Sequence, residues 1–315
     1  MRESQSRRRF LRTVASGSFA AAAAGMRPAG AQAAPPEARL ELKAYQFGRQ
    51  IWVRCDRRPL TCYRAHPTQK YPYFYPFVGP ASGASLTTES GDPYPHHRSV
   101  IFACDRVNRG NYWQQGIDRG QIVSRGPRIE SSEAKRVVIA DECMWQVPGD
   151  QPDLTDQRRY TITAPSEGLR LLDADITLTA RRDVQVRRTN HSFFAVRAAP
   201  DLAVTGGGTL VNSAGDRGEQ DTFGKKAAWC DFSAQRGGVV EGIALLGHPD
   251  NPWWPCTWFT RDYGFMSPTP FQWLDEDGWR LASGELIRLR YRIVAHVGDA
   301  AAADVAAQSQ AWAEL

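Results

Sequence analysis

Residues 168–182 read GLRLLDADITLTARR. Within them Leu172, Ala174, Ile176 and Leu178 alternate with Asp173, Asp175, Thr177 and Thr179. Successive side chains on a strand point to opposite faces, so this pattern buries one face and wets the other. That is the signature of an antiparallel sheet packed on one side. Outward from this stretch, Gly, Pro, Asn and Asp clusters punctuate short apolar runs. The rhythm predicts further strands at Gln50–Cys55, Val100–Cys104, 136–140, 159–164, 183–188, 192–198, 226–232, 239–246 and 285–296. The expected fold is mostly β, a large antiparallel β-sandwich forming one domain over residues 40–315, with long loops. Helical period returns only in DAAAADVAAQSQAWAEL (299–315). There Asp299 is a candidate N-cap, and Val305, Ser309 and Trp312 share a face. A short C-terminal helix laid against a sheet is expected.

The N-terminus answers a different question. SRRRFLR (6–12) precedes an alanine-rich apolar run, and AQA ends at Ala33. A basic start, a short apolar stretch and a small-residue end predict a signal peptide over residues 1–33, of the twin-arginine type. Pro35 and Pro36 fall in a short linker, 34–39. No later segment is long and apolar enough to span a bilayer. A periplasmic or secreted location follows, with no membrane contact once the signal is removed.

Charge is then read without the signal. The chain has 39 basic and 34 acidic residues, and residues 1–33 hold six arginines and one glutamate. The remainder has 33 of each, so its basicity gives no reason to expect a nucleic-acid partner. Six cysteines occur without a CxxC pair, which excludes the common zinc-knuckle and thioredoxin patterns. Cys55 and Cys62 are near enough for a hairpin bridge, but buried free thiols are the expectation for a chain exported folded.

The chemistry-bearing residues cluster. Residues 92–108 read DPYPHHRSVIFACDRVN, placing two of six histidines together. Adjacent strand residues diverge, so His96 and His97 can share a target only if the backbone turns, and Pro93 and Pro95 favour a turn. Both are acid/base candidates. Arg98 adds a forked cation for a carboxylate or a hydroxyl pair. A second cluster, GHPDNPWWPCTWFTRDYGFM (247–266), offers His248, Asp250, Asn251, Trp253, Trp254, Trp258, Arg261, Asp262 and Tyr263. Aromatic faces interleaved with hydrogen-bonding groups suit a sugar, so Trp253 and Trp258 are candidate stacking platforms and Asn251 and Arg261 candidate polar contacts. Packing of some of these tryptophans into a local core is the competing reading. In LIRLRYRIVAHVGD (286–299), His296 ends the arginine-bearing face and is a further catalytic candidate beside His248. In TNHSFFAVR (189–197), His191, Phe193, Ala195 and Arg197 share a face, and His191 reads equally well as structural. No HxH or HExxH pair is present, so no metal ligand is assigned; histidines with Asp250 leave a divalent metal open.

YPYFYPFVGPASGASLTTESGDPYPHHRSVIFACDRVN (71–108), NYW (111–113), WCDFSAQRGGVVEGIALLGHPDNPWWPCTWFTRDYGF (229–265) and LRYRIVAHVGD (289–299) together resemble a family of exported bacterial proteins labelled PmoA-like. The resemblance implies a β-sandwich in a setting of sugar catabolism. It points to His96, His97, Arg98, Asn108, Trp113, Trp229, His248, Asn251, Trp258, Arg261 and His296. Two positions depart from the family pattern: Tyr75 stands where relatives carry His, and Ser99 where they carry Gly. The label's methane-oxygenase sense does not fit a chain without membrane spans after its signal.

The reading that follows is a carbohydrate-active enzyme. His with Arg and Asn suits proton transfer of lyase, dehydratase or epimerase type. Glycoside hydrolysis, which needs two placed carboxylates, stays open beside these although no pair stands out by spacing. No G-x-S-x-G elbow supports a serine nucleophile. A non-catalytic carbohydrate-binding sandwich is the alternative. The cofactor and the oligomeric state stay open.

Overall fold

The stretch that opened the reading forms one strand, Leu169–Ala180, with its alternate residues Leu172, Ala174, Ile176 and Leu178 buried. It lies inside a sheet, paired antiparallel with Leu154–Ser166 on one side and Leu286–Val297 on the other. The computed structural model describes residues 40–114, 116–275 and 277–315. The expected signal peptide and linker, residues 1–39, lie outside the described residues.

Two antiparallel sheets carry the fold. One runs Leu42–Phe47, Gln50–Cys55, Arg58–Arg64, Tyr73–Phe77, Val100–Cys104, Ser192–Arg197, Phe265–Pro268, Trp258–Arg261 in spatial order. The other runs Thr209–Asn212, Trp229–Arg236, Val239–Gly247, Leu286–Val297, Leu169–Ala180, Leu154–Ser166, Arg136–Gln146, with Gln121–Ser124 and Arg128–Glu133 both paired to the last. Residues of both sheets share one core, and aromatic pairs bridge them. Phe194 stacks on Tyr291 at 4.8 Å, Tyr63 meets Tyr160 at 5.3 Å, and Phe102 meets Trp145 at 5.9 Å. Such pairs add directional preference to apolar burial. The expected β-sandwich with a short C-terminal helix is the observed architecture.

Three strands are longer than expected, for one shared reason. Arg136–Gln146, Leu154–Ser166 and Trp229–Arg236 extend beyond the expected bounds through Asp141, Asp156, Arg158 and Arg236. These polar residues are buried and hydrogen-bonded within the fold instead of ending a strand. A buried polar group that finds its partner does not break a sheet.

The helix forms as Val305–Ala313, with Val305 and Trp312 packed over Leu171, Leu246 and Val294 on the outer face of the nine-stranded sheet. Asp304, not Asp299, is its N-cap; its carboxylate accepts from the Ala307 N–H at 3.2 Å. Asp299 instead accepts from the Ala302 N–H at 2.8 Å, holding the turn that precedes the helix. On the same outer face, Asp173 pairs with Arg292 and Asp175 with Arg288.

All six cysteines are free thiols, five of them buried. Cys62 lies opposite Trp52 in the hairpin while Cys55 lies opposite Arg58, so the two are not cross-strand partners.

Candidate functional site

Two successive turns shape the HHR loop. The Tyr94 N–H donates to the Gly91 carbonyl and the His97 N–H to the Tyr94 carbonyl, each at 3.0 Å. The backbone therefore curls where the sequence required it to. The His96 and His97 rings meet edge to face, centroids 4.5 Å apart. Ser99, which follows HHR, has φ +30°. That value favours glycine, which gives a physical reason for glycine at this place in the resembling family.

A third imidazole completes the group. His191 precedes strand Ser192–Arg197, and the Asp105 N–H donates to its carbonyl at 3.1 Å. Its Nε2 lies 3.3 Å from His97 Nε2. Its Nδ1 lies 3.4 Å from the Asp105 carboxylate, whose other oxygen accepts from the Thr189 hydroxyl. One ring nitrogen from each of His96, His97 and His191 falls within 4.8 Å of the other two.

The walls are aromatic and the rim is cationic. Trp113 is fully buried, with centroid distances of 5.2 Å to His191 and 6.2 Å to His97. The Asn111 side-chain carbonyl accepts from its N–H at 3.0 Å and fixes the loop. Phe265 stacks on His97 at 4.2 Å, and the exposed Tyr94 ring lies 5.2 Å from His97. The Arg197 guanidinium lies 4.4 Å over Tyr263, and Arg98 lies 5.3 Å over Tyr73. Tyr73 donates to Glu89, which is paired with Arg64. Tyr75, the other departure from the resembling family, is stacked under Arg64 at the edge of this chain of contacts.

Several polar atoms at this place are buried without a protein partner. They are His96 Nε2, His97 Nδ1, Arg98 Nε, Trp113 Nε1, and Nε and Nη1 of Arg197. A native fold satisfies nearly all of its buried polar groups, so a group of unpartnered ones in one neighbourhood marks function. Burial pushes the His97 pKa down to about 2, helped by the nearby His96, His191 and Arg197 charges. Burial, and then His191, push His96 down to about 4, against the pull of Asp105. Both rings are neutral at physiological pH and keep a lone pair each. As proton acceptors from a weak acid they are poor, because an efficient base titrates near the working pH. Of the three rings, only His191 has a carboxylate against its far nitrogen.

Of the residues expected from sequence, His96, His97, Arg98 and Trp113 come together. The others do not join them. His296 is fully buried on the opposite sheet, its Nε2 2.7 Å from Asp231 and its Nδ1 3.1 Å from the Gly298 carbonyl. Both nitrogens face acceptors, so neither is free to act on a substrate. His248 is buried against Trp312, and the Arg290 guanidinium sits 2.8 Å from its Nε2 and 3.2 Å from Asp250. A cation wedged between His248 and Asp250 opposes a metal there. Asn251 holds the Arg290 backbone, accepting at 2.7 Å and donating at 2.8 Å. Asn108, at φ +51°, donates to Asp153 and accepts from the Gln185 N–H. Trp258 is buried and its indole N–H donates to the Ala227 carbonyl. Trp253 packs on Phe193, Phe271 and Trp279. Arg261 pairs with Glu219 and stacks on Phe223 and Phe259. The space left among Asn251, Trp253, Trp254 and Trp258 is about 10 Å³, too small for a sugar. The tryptophan-rich loop is a local core, as the competing reading had it.

His191, Arg197 and Asp105 were missed as site residues. Their signal was the shared face of His191 and Arg197. Phe193 broke that pattern: at φ +68° it turns inward to stack on Phe102.

His296 makes a prediction of its own. Burial lowers its pKa, but the hydrogen bond and charge of Asp231 and the Gly298 carbonyl outweigh burial, and the net shift is upward from 6.5. A raised folded-state pKa stabilises the fold fully below the unfolded value and loses that stabilisation as pH rises through the folded value. Wild type should therefore lose melting temperature, relative to His296→Gln, as pH climbs above about 6.5. Parallel melting curves across that range would refute the charged pair.

Fold and site together define a β-sandwich protein with three histidines gathered from the segments that precede strands Val100–Cys104 and Ser192–Arg197. The chain belongs to the family described as Family of unknown function (DUF6807), which matches residues 50–310. No curated protein matches it. Among solved structures it is similar to a putative aldose 1-epimerase from Escherichia coli K12, at 11% identity and TM-score 0.36, covering 82% of this chain and 99% of that one. It is also similar to galactose 1-epimerase from Lactobacillus acidophilus, at 10% identity and TM-score 0.39, with 82% and 99% covered. An aldose epimerase homologue from C. elegans matches at 7% identity and TM-score 0.34, with the same coverage.

Proposed function

We propose that the protein is a carbohydrate-active enzyme that moves a proton on a hydroxyl-rich, anionic sugar, by epimerase, lyase or dehydratase chemistry. The observation that carries this is the convergence of His96, His97 and His191 beside the unpartnered donors of Arg98, Arg197 and Trp113. In this reading the Asp105-aligned His191 transfers the proton, its neutral neighbours hydrogen-bond substrate hydroxyls, and the arginines stabilise charge that develops next to a carboxylate or carbonyl. The exposed Tyr94 offers a ring face to a pyranose. The binding-only alternative needed exposed tryptophan platforms, whereas Trp258 is buried and the half-buried Trp253 packs on Phe271.

The cellular setting we propose is the periplasm or exterior, reached through the twin-arginine signal and consistent with the resemblance to PmoA-like exported proteins. Mass spectrometry of products from a panel of uronic-acid-containing glycans tests the reaction. Loss of water means dehydration, chain cleavage without water means a lyase, and added water means hydrolysis. Unchanged mass with a changed NMR spectrum means epimerisation. No His191-dependent change in mass or spectrum for any substrate would remove the proposal.

A further inference from the structure

We propose that His96, His97 and His191 hold a divalent first-row transition ion, with Zn²⁺ the best geometric match. The inference takes its site from the proposed function but changes one role: with Nε2 on the ion and Nδ1 on Asp105, His191 would hold the metal instead of transferring the proton.

The geometry comes first. Zinc binds imidazole nitrogen at about 2.0–2.1 Å and prefers a tetrahedron, which sets two ligating nitrogens about 3.3–3.4 Å apart. His97 Nε2 and His191 Nε2 are 3.3 Å apart. One nitrogen of His96 lies within 4.8 Å of both, on a partly exposed loop that needs to close by at most about 1.5 Å to complete a tetrahedral face. Three protein ligands and one open position are the pattern of zinc sites that act on a substrate.

The surroundings supply an independent observation. A metal-bound histidine characteristically presents its other ring nitrogen to a carboxylate that fixes the tautomer and orientation. His191 Nδ1 faces Asp105, and Asp105 is itself held by the Thr189 hydroxyl, while the His191 N–H donates to that same hydroxyl at 3.0 Å. His97 is buried, which keeps its lone pairs from water. The imidazoles also arrive from separate segments, one pair on the HHR loop and one at a strand start, as a designed convergence requires.

The opposing term is charge. Arg197, over the Tyr263 ring that stacks on His97, stands near and lowers the affinity of any cation. Three neutral nitrogens leave the ion with its full double charge, so an anionic oxygen in the open position meets both the metal and a guanidinium. The site would thus select a substrate that presents a carboxylate or an ionised hydroxyl.

The test uses the full protein without a polyhistidine tag, stripped of metal and titrated with Zn²⁺ and with Co²⁺ as a spectroscopic probe. The expected result is one ion per chain and the intense visible absorption of tetrahedral Co²⁺. His97→Ala and His191→Ala should abolish both. Asp105→Asn should weaken binding about 10–100-fold. His66→Ala, in an exposed turn, should change nothing. Because His97→Ala could disturb a buried ring, His96→Ala on the outer loop is the second ligand variant, with circular dichroism as the fold check. Failure of the folded wild type to bind at micromolar free metal overturns the inference, as does binding that survives both His96→Ala and His191→Ala. His191-dependent turnover in the presence of chelator, without bound metal, overturns the metal and leaves the enzyme reading standing. Stoichiometric metal without turnover of any substrate leaves the metal and removes the enzyme reading.

Discussion

His191→Ala lowers kcat by about 10²–10⁴-fold on whichever substrate the protein turns over, the range by which a positioned acid/base group contributes. The same substitution at His248 leaves turnover unchanged. The contrast follows from what each ring nitrogen faces. His191 turns Nε2 toward His97 and keeps Nδ1 against Asp105. His248 has Arg290 against Nε2 and Trp312 across its ring, on the other sheet. Both histidines occur in motifs equally rich in polar and aromatic residues, so composition does not separate them. Asp105→Asn separates a positioning role from a structural one. It should lower kcat while the melting temperature stays near that of the wild type, because the amide is a weaker acceptor at His191 Nδ1 and no longer fixes the ring. A His248→Ala enzyme as impaired as His191→Ala would overturn the site assignment.

The two sheets were legible because strand alternation is a local signal. Leu172 to Thr179 announces its two faces without reference to any other part of the chain. The HHR loop was legible for a related reason: prolines at 93 and 95 lead into it, and the turns they favour are local too. The partners of that loop were harder. His191 lies 94 residues beyond His97 in sequence. Ser192–Arg197 pairs with Val100–Cys104, Ser192 opposite Cys104, which sets His191 beside Asp105; neither that non-local pairing nor the return of the HHR loop toward His191 is encoded by periodicity. The tryptophan-rich loop misled in the opposite direction. Its residues carry the right chemistry for a sugar, but Trp258 and Trp253 have more apolar surface than a solvent-exposed loop would leave uncovered, and they fold onto the adjacent strands. His296 misled because an arginine-bearing face reads as wet. The C-terminal helix covers part of that face, and the cross-strand carboxylates Asp173 and Asp175 pair with its arginines.

Asp156→Ala destabilises the fold by about 3–5 kcal/mol, the cost of stranding a buried charge. Arg158 and Asp156 are both fully buried, joined by two hydrogen bonds of 2.7 and 2.8 Å. The Trp145 indole N–H donates to the same carboxylate at 2.6 Å. Burial opposes the guanidinium charge, but Asp156 more than offsets it and holds the Arg158 pKa well above its ordinary value. Alanine at 156 leaves a permanent cation inside the sandwich, with Phe102 at 5.3 Å as its remaining favourable face, and orphans the indole N–H. Urea titration at neutral pH should show the midpoint falling with the slope unchanged, since the surface exposed on unfolding is the same. The double variant Asp156→Leu with Arg158→Met should recover most of the loss, because replacing both partners by apolar groups removes the desolvation penalty along with the attraction. A double variant as unstable as Asp156→Ala would mean that the loss comes from packing around Trp145 and not from the stranded charge. The pair sits on the strand that runs past its sequence-expected start, so its stabilisation and the length of Leu154–Ser166 have one cause: an ion pair lets two charged residues continue a buried strand where either alone would end it.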